Sequence, residues 1–211
     1  MQMWPERFRK RDHVMHIFRS KFESIESLSD LIDFTPDDEI IVYVTDLDIE
    51  REIEQCKNTK TRRSIEDGLD ERKLRALPSF ATYCPDEHFE IDRMLRFWEE
   101  LSIKLSNNGY RGATVVGDIS WLSDYPSFFD SFVRYECAID LRGVPDNLRI
   151  MCQYDSKLFS EDQLDRLARV HQLLLQGGIL ERRCWVISRK LGNFQLSPSP
   201  SGDFSRPIVR I

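Results

Sequence analysis

Two periodicities alternate along this chain. Apolar residues recur in His13-Val14-Met15-His16-Ile17-Phe18, and Phe22, Ile25, Leu28 and Ile32 then follow at steps of three and four residues. A strand feeding an amphipathic helix is predicted. A turn at Thr35-Pro36-Asp37-Asp38 leads into Glu39-Ile40-Ile41-Val42-Tyr43-Val44, a β-branched run of the kind that a parallel strand covered on both faces shows. Asp48 to Cys56 suits a short helix. Residues 57 to 75 are dominated by charge and suit exposed helix or loop.

Leu77 to Tyr83 suggests a short strand, and Ile91, Met94, Leu95, Trp98, Leu101 and Leu105 mark a longer helix that Asn107-Asn108-Gly109 ends. Ala113 to Ile119 is another buried strand, followed by a helix carrying Phe128, Phe129, Phe132 and Ile139, and by a strand at Leu148 to Cys152. Ser160-Glu161-Asp162-Gln163 has the capping-box pattern and opens a helix expected to run through Leu164, Leu167, Leu174 and Leu175. Cys184 to Ile187 and Pro207 to Ile211 are expected to pair as a closing hairpin around a Ser- and Pro-rich loop.

Strands alternating with helices imply βαβ units. The expected fold is α/β, a mainly parallel sheet flanked by helices, with a C-terminal antiparallel hairpin at one edge. With 211 residues and 41% hydrophobic content, one domain spanning residues 1–211 is expected.

Some polar residues interrupt the apolar stripes. Phe129, Phe132, Glu136 and Ile139 share one helical face, so Glu136 points inward and requires either a structural partner or a site. The same phase sets His171 beside Leu167 and Leu174, as a core histidine or as a second group of the same site. Three polar sets fall where strands end: Thr45-Asp46, Asp118 to Trp121, and Gln153-Tyr154-Asp155. Ligands of open α/β sheets bind at the carboxyl ends of the strands, although such residues also begin ordinary loops.

Composition narrows the choice of partner. Thirty basic residues against 36 acidic ones give a net charge of -6, which offers no long-range attraction to a phosphate backbone, so direct nucleic-acid binding is not expected. Charged residues at 31% and a mean hydropathy of -0.45 fit a soluble chain. No segment approaches the roughly 18 apolar residues of a membrane helix, and the first residues lack a secretory pattern. A cytoplasmic location without membrane contact is expected. The five cysteines are widely spaced with no C-x-x-C pair, so reduced thiols are expected.

The motifs together resemble the MEDS domain, the sensory module named for methanogen and methylotroph regulators, over about residues 13–180. His13, Phe18 and Glu23 have the spacing of its opening motif. Gly109-Tyr110-Arg111-Gly112 with Val115-Val116-Gly117-Asp118-Ile119-Ser120-Trp121 is similar to its central motif, Tyr135-Glu136 to its Tyr-Glu pair, and Cys152-Gln153-Tyr154-Asp155 to its Cys-x-Tyr-Asp motif. His171 and Gly177-Gly178 fall where its closing histidine and glycine segment lie. Thr114 stands where arginine is usual, Asp118 where glutamate is, and Gln172 where proline is. Losing that arginine removes a bidentate anion contact. Residues 181–211 then form a C-terminal hairpin extension.

The resemblance implies a scaffold related to RecA and KaiC and a non-catalytic sensory or regulatory role in signal transduction or transcription regulation. It selects a crevice at the carboxyl edge of the sheet, lined by His13, Asp118, Trp121, Glu136, Cys152, Tyr154, Asp155 and His171, taking a small molecule or a regulatory protein such as a kinase or transcription regulator. No phosphate-binding G-x-x-x-x-G-K-[ST] occurs, so ATP hydrolysis is not expected. The resemblance leaves output to a separate protein or to homo-oligomerisation. An enzyme built on a Cys152/His171 pair or a degenerate nucleotide site is the alternative, as is a metal sensor, since His13, Glu136, Cys152 and His171 are ligand types without short ligand spacing. No cofactor is named by the sequence.

Overall fold

The computed structural model describes residues 4–182, 185–190 and 193–198. Its strands are β1 (His13–Phe18), β2 (Glu39–Val44), β3 (Leu74–Leu77), β4 (Gly112–Asp118), β5 (Leu148–Asp155), β6 (Leu173–Gln176), β7 (Ile179–Arg182), β8 (Trp185–Lys190) and β9 (Asn193–Pro198). The helices are α1 (Lys21–Phe34), α2 (Ile49–Gln55), α3 (Thr59–Asp70), α4 (Ser79–Tyr83), α5 (Ile91–Asn107), α6 (Phe129–Arg142) and α7 (Glu161–Ala168).

A seven-stranded sheet runs in the order β3-β2-β4-β5-β1-β6-β7, with β7 antiparallel to β6 and every other pairing parallel. All residues of β1, β2 and β4 are buried, as parallel strands covered on both faces must be. On one face Val14, Ile41, Tyr43 and Met151 pack against α1, α2 and α3 through Leu28, Ile32, Ile53 and Ile65. The other face buries Met15, Val42, Val115 and Ile150 beneath α4 to α7. Because side chains alternate along each strand, His13 and Cys152 fall on this second face and His16 and Gln153 on the first.

The mainly parallel α/β architecture is therefore present, but several boundaries differ from expectation. The edge hairpin is β6–β7, turned by Gly177 and Gly178 at φ +56° and +74°, the left-handed pair that a two-residue hairpin demands. Of the expected closing hairpin, residues 185–187 fall in β8, which pairs with β9, while Cys184 and 207–211 lie outside the described residues. Where a strand was expected at Leu77 to Tyr83, the strand instead precedes Pro78 and α4 follows it. The Asp46 carboxylate accepts hydrogen bonds from Ser79 N (2.8 Å) and Phe80 N (3.0 Å), capping that short helix. Helix α7 stops at Ala168, and Leu173-Leu174-Leu175 is strand, since a short apolar run fits a doubly covered strand as well as a helix.

One close approach fixes the sheet against α4. A Cβ at Gly117 would meet Tyr83 Oη at 2.5 Å, so glycine lets the buried Tyr83 ring lie against β4.

Candidate functional site

His13 opens β1, Cys152 and Tyr154 project from β5 on the same face, and α6 lies across them. Helical phase turns Glu136 inward, one turn after Phe132. Its carboxylate is wholly buried. Oε2 lies 2.8 Å from His13 Nε2, 3.3 Å from His171 Nε2 and 3.7 Å from Cys152 Sγ, and Oε1 accepts the Tyr154 hydroxyl at 3.1 Å. Cys152 Sγ also lies 3.6 Å from His13 Nε2, and the two imidazole centroids are 4.2 Å apart. None of these five residues is more than 2% exposed.

A second layer orients the imidazoles. His13 Nδ1 bonds Asp140 Oδ1 at 2.8 Å, so this ring bridges two carboxylates that sit one turn apart on α6. His171 Nδ1 donates to the Leu167 carbonyl at 2.8 Å. A carbonyl only accepts, which fixes the proton on Nδ1 and leaves Nε2 facing the cluster without a hydrogen-bond partner.

Burial alone would lower the His13 pKa, but its hydrogen bonds to Asp140, Cys152 and Glu136 and the Glu136 charge outweigh it and hold the ring well above the usual histidine range. Burial would raise Glu136, yet the His171 charge and the His13 contacts draw it below the usual carboxylate range. The Cys152 thiol is pushed up to about 12, by burial first and then by the Glu136 charge. A buried ion pair with hydrogen bonds on both sides is the arrangement that these three shifts describe.

Of the residues singled out by sequence, His13, Glu136, Cys152, Tyr154 and His171 come together. Asp118, Trp121 and Asp155 are placed differently. Asp118 accepts from Thr45 Oγ1 (3.1 Å) and from Ser120 N (3.0 Å) and Oγ (2.6 Å) at the carboxyl end of β4. Trp121 packs with Tyr83, Phe89 and Phe132, and Asp155 accepts from Lys157 N at 2.9 Å. The expectation of an open crevice at the carboxyl edge is thus corrected. His13 begins its strand and His171 lies two residues before β6, so both imidazoles sit at amino-terminal strand ends, under α6. His171 arrives from the turn after α7 and not from a helical face. Asp140 was not singled out, although its place four residues after Glu136 on an inward-facing stripe was a readable signal.

On the other face, the buried His16 lines a cavity of about 400 Å³ with Trp4, Glu23, Ser27, Asp30 and Gly177. Its Nδ1 lies 3.3 Å from Ser27 Oγ and accepts from Gln153 Nε2 at 3.3 Å. Burial lowers its pKa to about 4. An unfolded imidazole takes its proton near pH 6.5, so between roughly pH 6.5 and 4 the unfolded state holds the extra proton and stability falls as pH falls. Going from pH 7 to 5 is expected to remove about 2 kcal/mol through this group. Urea unfolding at both pH values should show that drop in the wild type and a smaller one in His16→Gln; equal drops count against it.

The chain matches the model of a family described as MEDS, MEthanogen/methylotroph, DcmR Sensory domain, over residues 12–172. Among solved structures it is similar to the flagellar accessory protein FlaH from Methanocaldococcus jannaschii, at 14% identity and a TM-score of 0.46, covering 82% of this chain and 76% of that one. No curated protein matches it.

Proposed function

The chain belongs to the MEDS family of sensory domains, and from that premise we propose that it is a non-catalytic regulatory domain whose sensing element is the cluster of His13, Glu136, Cys152, Tyr154 and His171. The observation that carries this reading is the position of Glu136. One α6 carboxylate, 0% exposed, gathers contacts from β1, β5 and the turn before β6. Any change of charge or occupancy there alters how α6 seats on the sheet, and a packed element with two seatings is what transmits a signal. The ligand is a small molecule or ion, and the receiver a regulatory protein such as a kinase or transcription regulator.

Two observations weigh against the catalytic alternatives. Cys152 is 1% exposed beneath α6, where a substrate has no approach without displacing the helix. At the β1–α1 junction, where a phosphate cradle would stand, Arg19 and Ser20 alone join the two elements, and the Glu23 carboxylate already accepts the Arg19 amide at 2.9 Å. That carboxylate occupies and repels the place of an anion. Among the described residues no helix is long and apolar enough to cross a membrane.

The purified chain with ATP and Mg²⁺ is expected to release phosphate at the buffer rate, while deleting it from its host shifts transcripts of a limited gene set. Phosphate release abolished by Asp118→Ala, or an unchanged transcript profile, overturns the reading.

A further inference from the structure

We infer that the same cluster is a four-coordinate site for a zinc-like divalent cation, held by His13 Nε2, His171 Nε2, Cys152 Sγ and one Glu136 carboxylate oxygen. The inference names a ligand class for the proposed sensing element and rests on that reading only for its biological role.

Geometry is the first support. One ligand atom from each of the four residues lies within 4.8 Å of every other. The closer separations are 2.8, 3.3, 3.6 and 3.7 Å. A tetrahedral zinc with bonds of about 2.0–2.3 Å spaces its ligand atoms by about 3.3–3.8 Å, so adjustments of under about 1 Å close the sphere. Such adjustments lie within reach of side-chain rotation on fixed backbone.

The second support is independent of spacing. His171 Nε2 is buried without a hydrogen-bond partner, because the ring bonds through Nδ1 to the Leu167 carbonyl, and it stands 3.3 Å from Glu136 Oε2. A ring nitrogen and a carboxylate oxygen that face each other in a dry interior without a hydrogen bond between them have room to share a cation in place of the ring proton. His13 has the matching arrangement, Nδ1 on Asp140 and Nε2 inward. A metal-ligating histidine commonly donates its other ring N–H to a carboxylate or backbone carbonyl, and one of each is present.

Charge and ligand type select the ion. Thiolate and carboxylate neutralise a dication, so the four-ligand site carries no net charge beneath α6, the Cys152 thiol proton and the proton on the ligating nitrogen of each imidazole leaving to solvent. Sulfur and two imidazoles disfavour Mg²⁺ and Ca²⁺, which take oxygen, and favour zinc. Four protein ligands leave no open position for substrate, as in structural rather than catalytic zinc sites.

The test uses the full chain, free of affinity-tag histidines, loaded with Zn²⁺, desalted and assayed by elemental analysis. One equivalent is expected, lost in Cys152→Ala and His171→Gln and retained in His16→Gln. Asp140→Asn, which alters only the orienting contact to His13, is expected to weaken zinc about 10–100-fold. Should either ligand variant fail to fold, Co²⁺ added to the wild type decides: a sulfur-to-cobalt charge-transfer band with intense visible bands of a four-coordinate ion is expected. No retained zinc, zinc unchanged by both ligand variants, or a cobalt spectrum without sulfur overturns the site. A transcript response that persists in a chain without zinc overturns this inference alone and leaves the sensory reading standing.

Discussion

Glu136→Ala is expected to cost about 3–5 kcal/mol of folding stability, the range for breaking a buried charge pair from one side. The alanine removes the acceptor of His13 Nε2 at 2.8 Å and of the Tyr154 hydroxyl at 3.1 Å, and leaves the raised-pKa His13 ring with Asp140 as its one charged partner and only the Cys152 sulfur beside Nε2. Each group orphaned in the interior costs on the order of 1–3 kcal/mol, which is why the loss exceeds that of an ordinary polar truncation. Glu136→Gln is expected to lose less. It keeps the volume, and its amide can donate to the otherwise unpartnered His171 Nε2. The double variant with His13→Ala should lose less than the two single losses combined, because the second deletion removes a group that the first has already stranded. Urea unfolding of the metal-free chain measures all of these, and a loss under about 1 kcal/mol for Glu136→Ala, or strict additivity, counts against the cluster as a unit.

What sequence reveals here depends on whether the information is local. The parallel strands were legible because a two-sided strand must be apolar nearly throughout, and Ile40 to Val44 and Ala113 to Val116 meet that demand. Glu136 was legible because helical phase is local, and Phe132 and Ile139 set it. The end of α7 was not, since Leu173-Leu174-Leu175 satisfies either element and only pairing with β1 decides. His171 accordingly reaches the site from the segment between α7 and β6, a route that no helical phase encodes.

Asp118, Trp121 and Asp155 show the converse. They stand near strand ends where ligands commonly bind, yet the two carboxylates serve the chain itself, as Asp118 does in tying Thr45 to Ser120, and the Trp121 ring packs among other aromatics. Whether a strand-end carboxylate meets ligand or loop depends on contacts between residues as distant as 45 and 118, which no local pattern carries. Asp140 differs: its place one turn after Glu136 is a local signal, and only its partner, His13 on the strand opposite, is not.

The other large effect lies one turn before Glu136, where Phe132→Ala is expected to cost about 3–5 kcal/mol. Phe132 is 0% exposed, with ring centroids of Tyr135, Phe89, Trp121 and Tyr83 at 5.4, 5.7, 5.8 and 6.0 Å. The cost of such a deletion depends on how far the surroundings can collapse into the space left. Here they are held. Tyr135 is tied by the Trp98 indole N–H at 2.6 Å, and Tyr83 is seated against the bare Cα of Gly117. The cavity should therefore persist and place the loss toward the upper end of the range, whereas Phe132→Leu keeps much of the volume and should cost clearly less. Phe128→Ala, at the half-buried rim of the same nest, supplies the comparison, because water can replace its ring. Neither phenylalanine supplies a polar contact to Glu136, so zinc stoichiometry is expected to survive Phe132→Ala at temperatures where the variant remains folded. A loss for Phe132→Ala no larger than that for Phe128→Ala would mean that the aromatic nest yields, and that α6 is seated by its carboxylates alone.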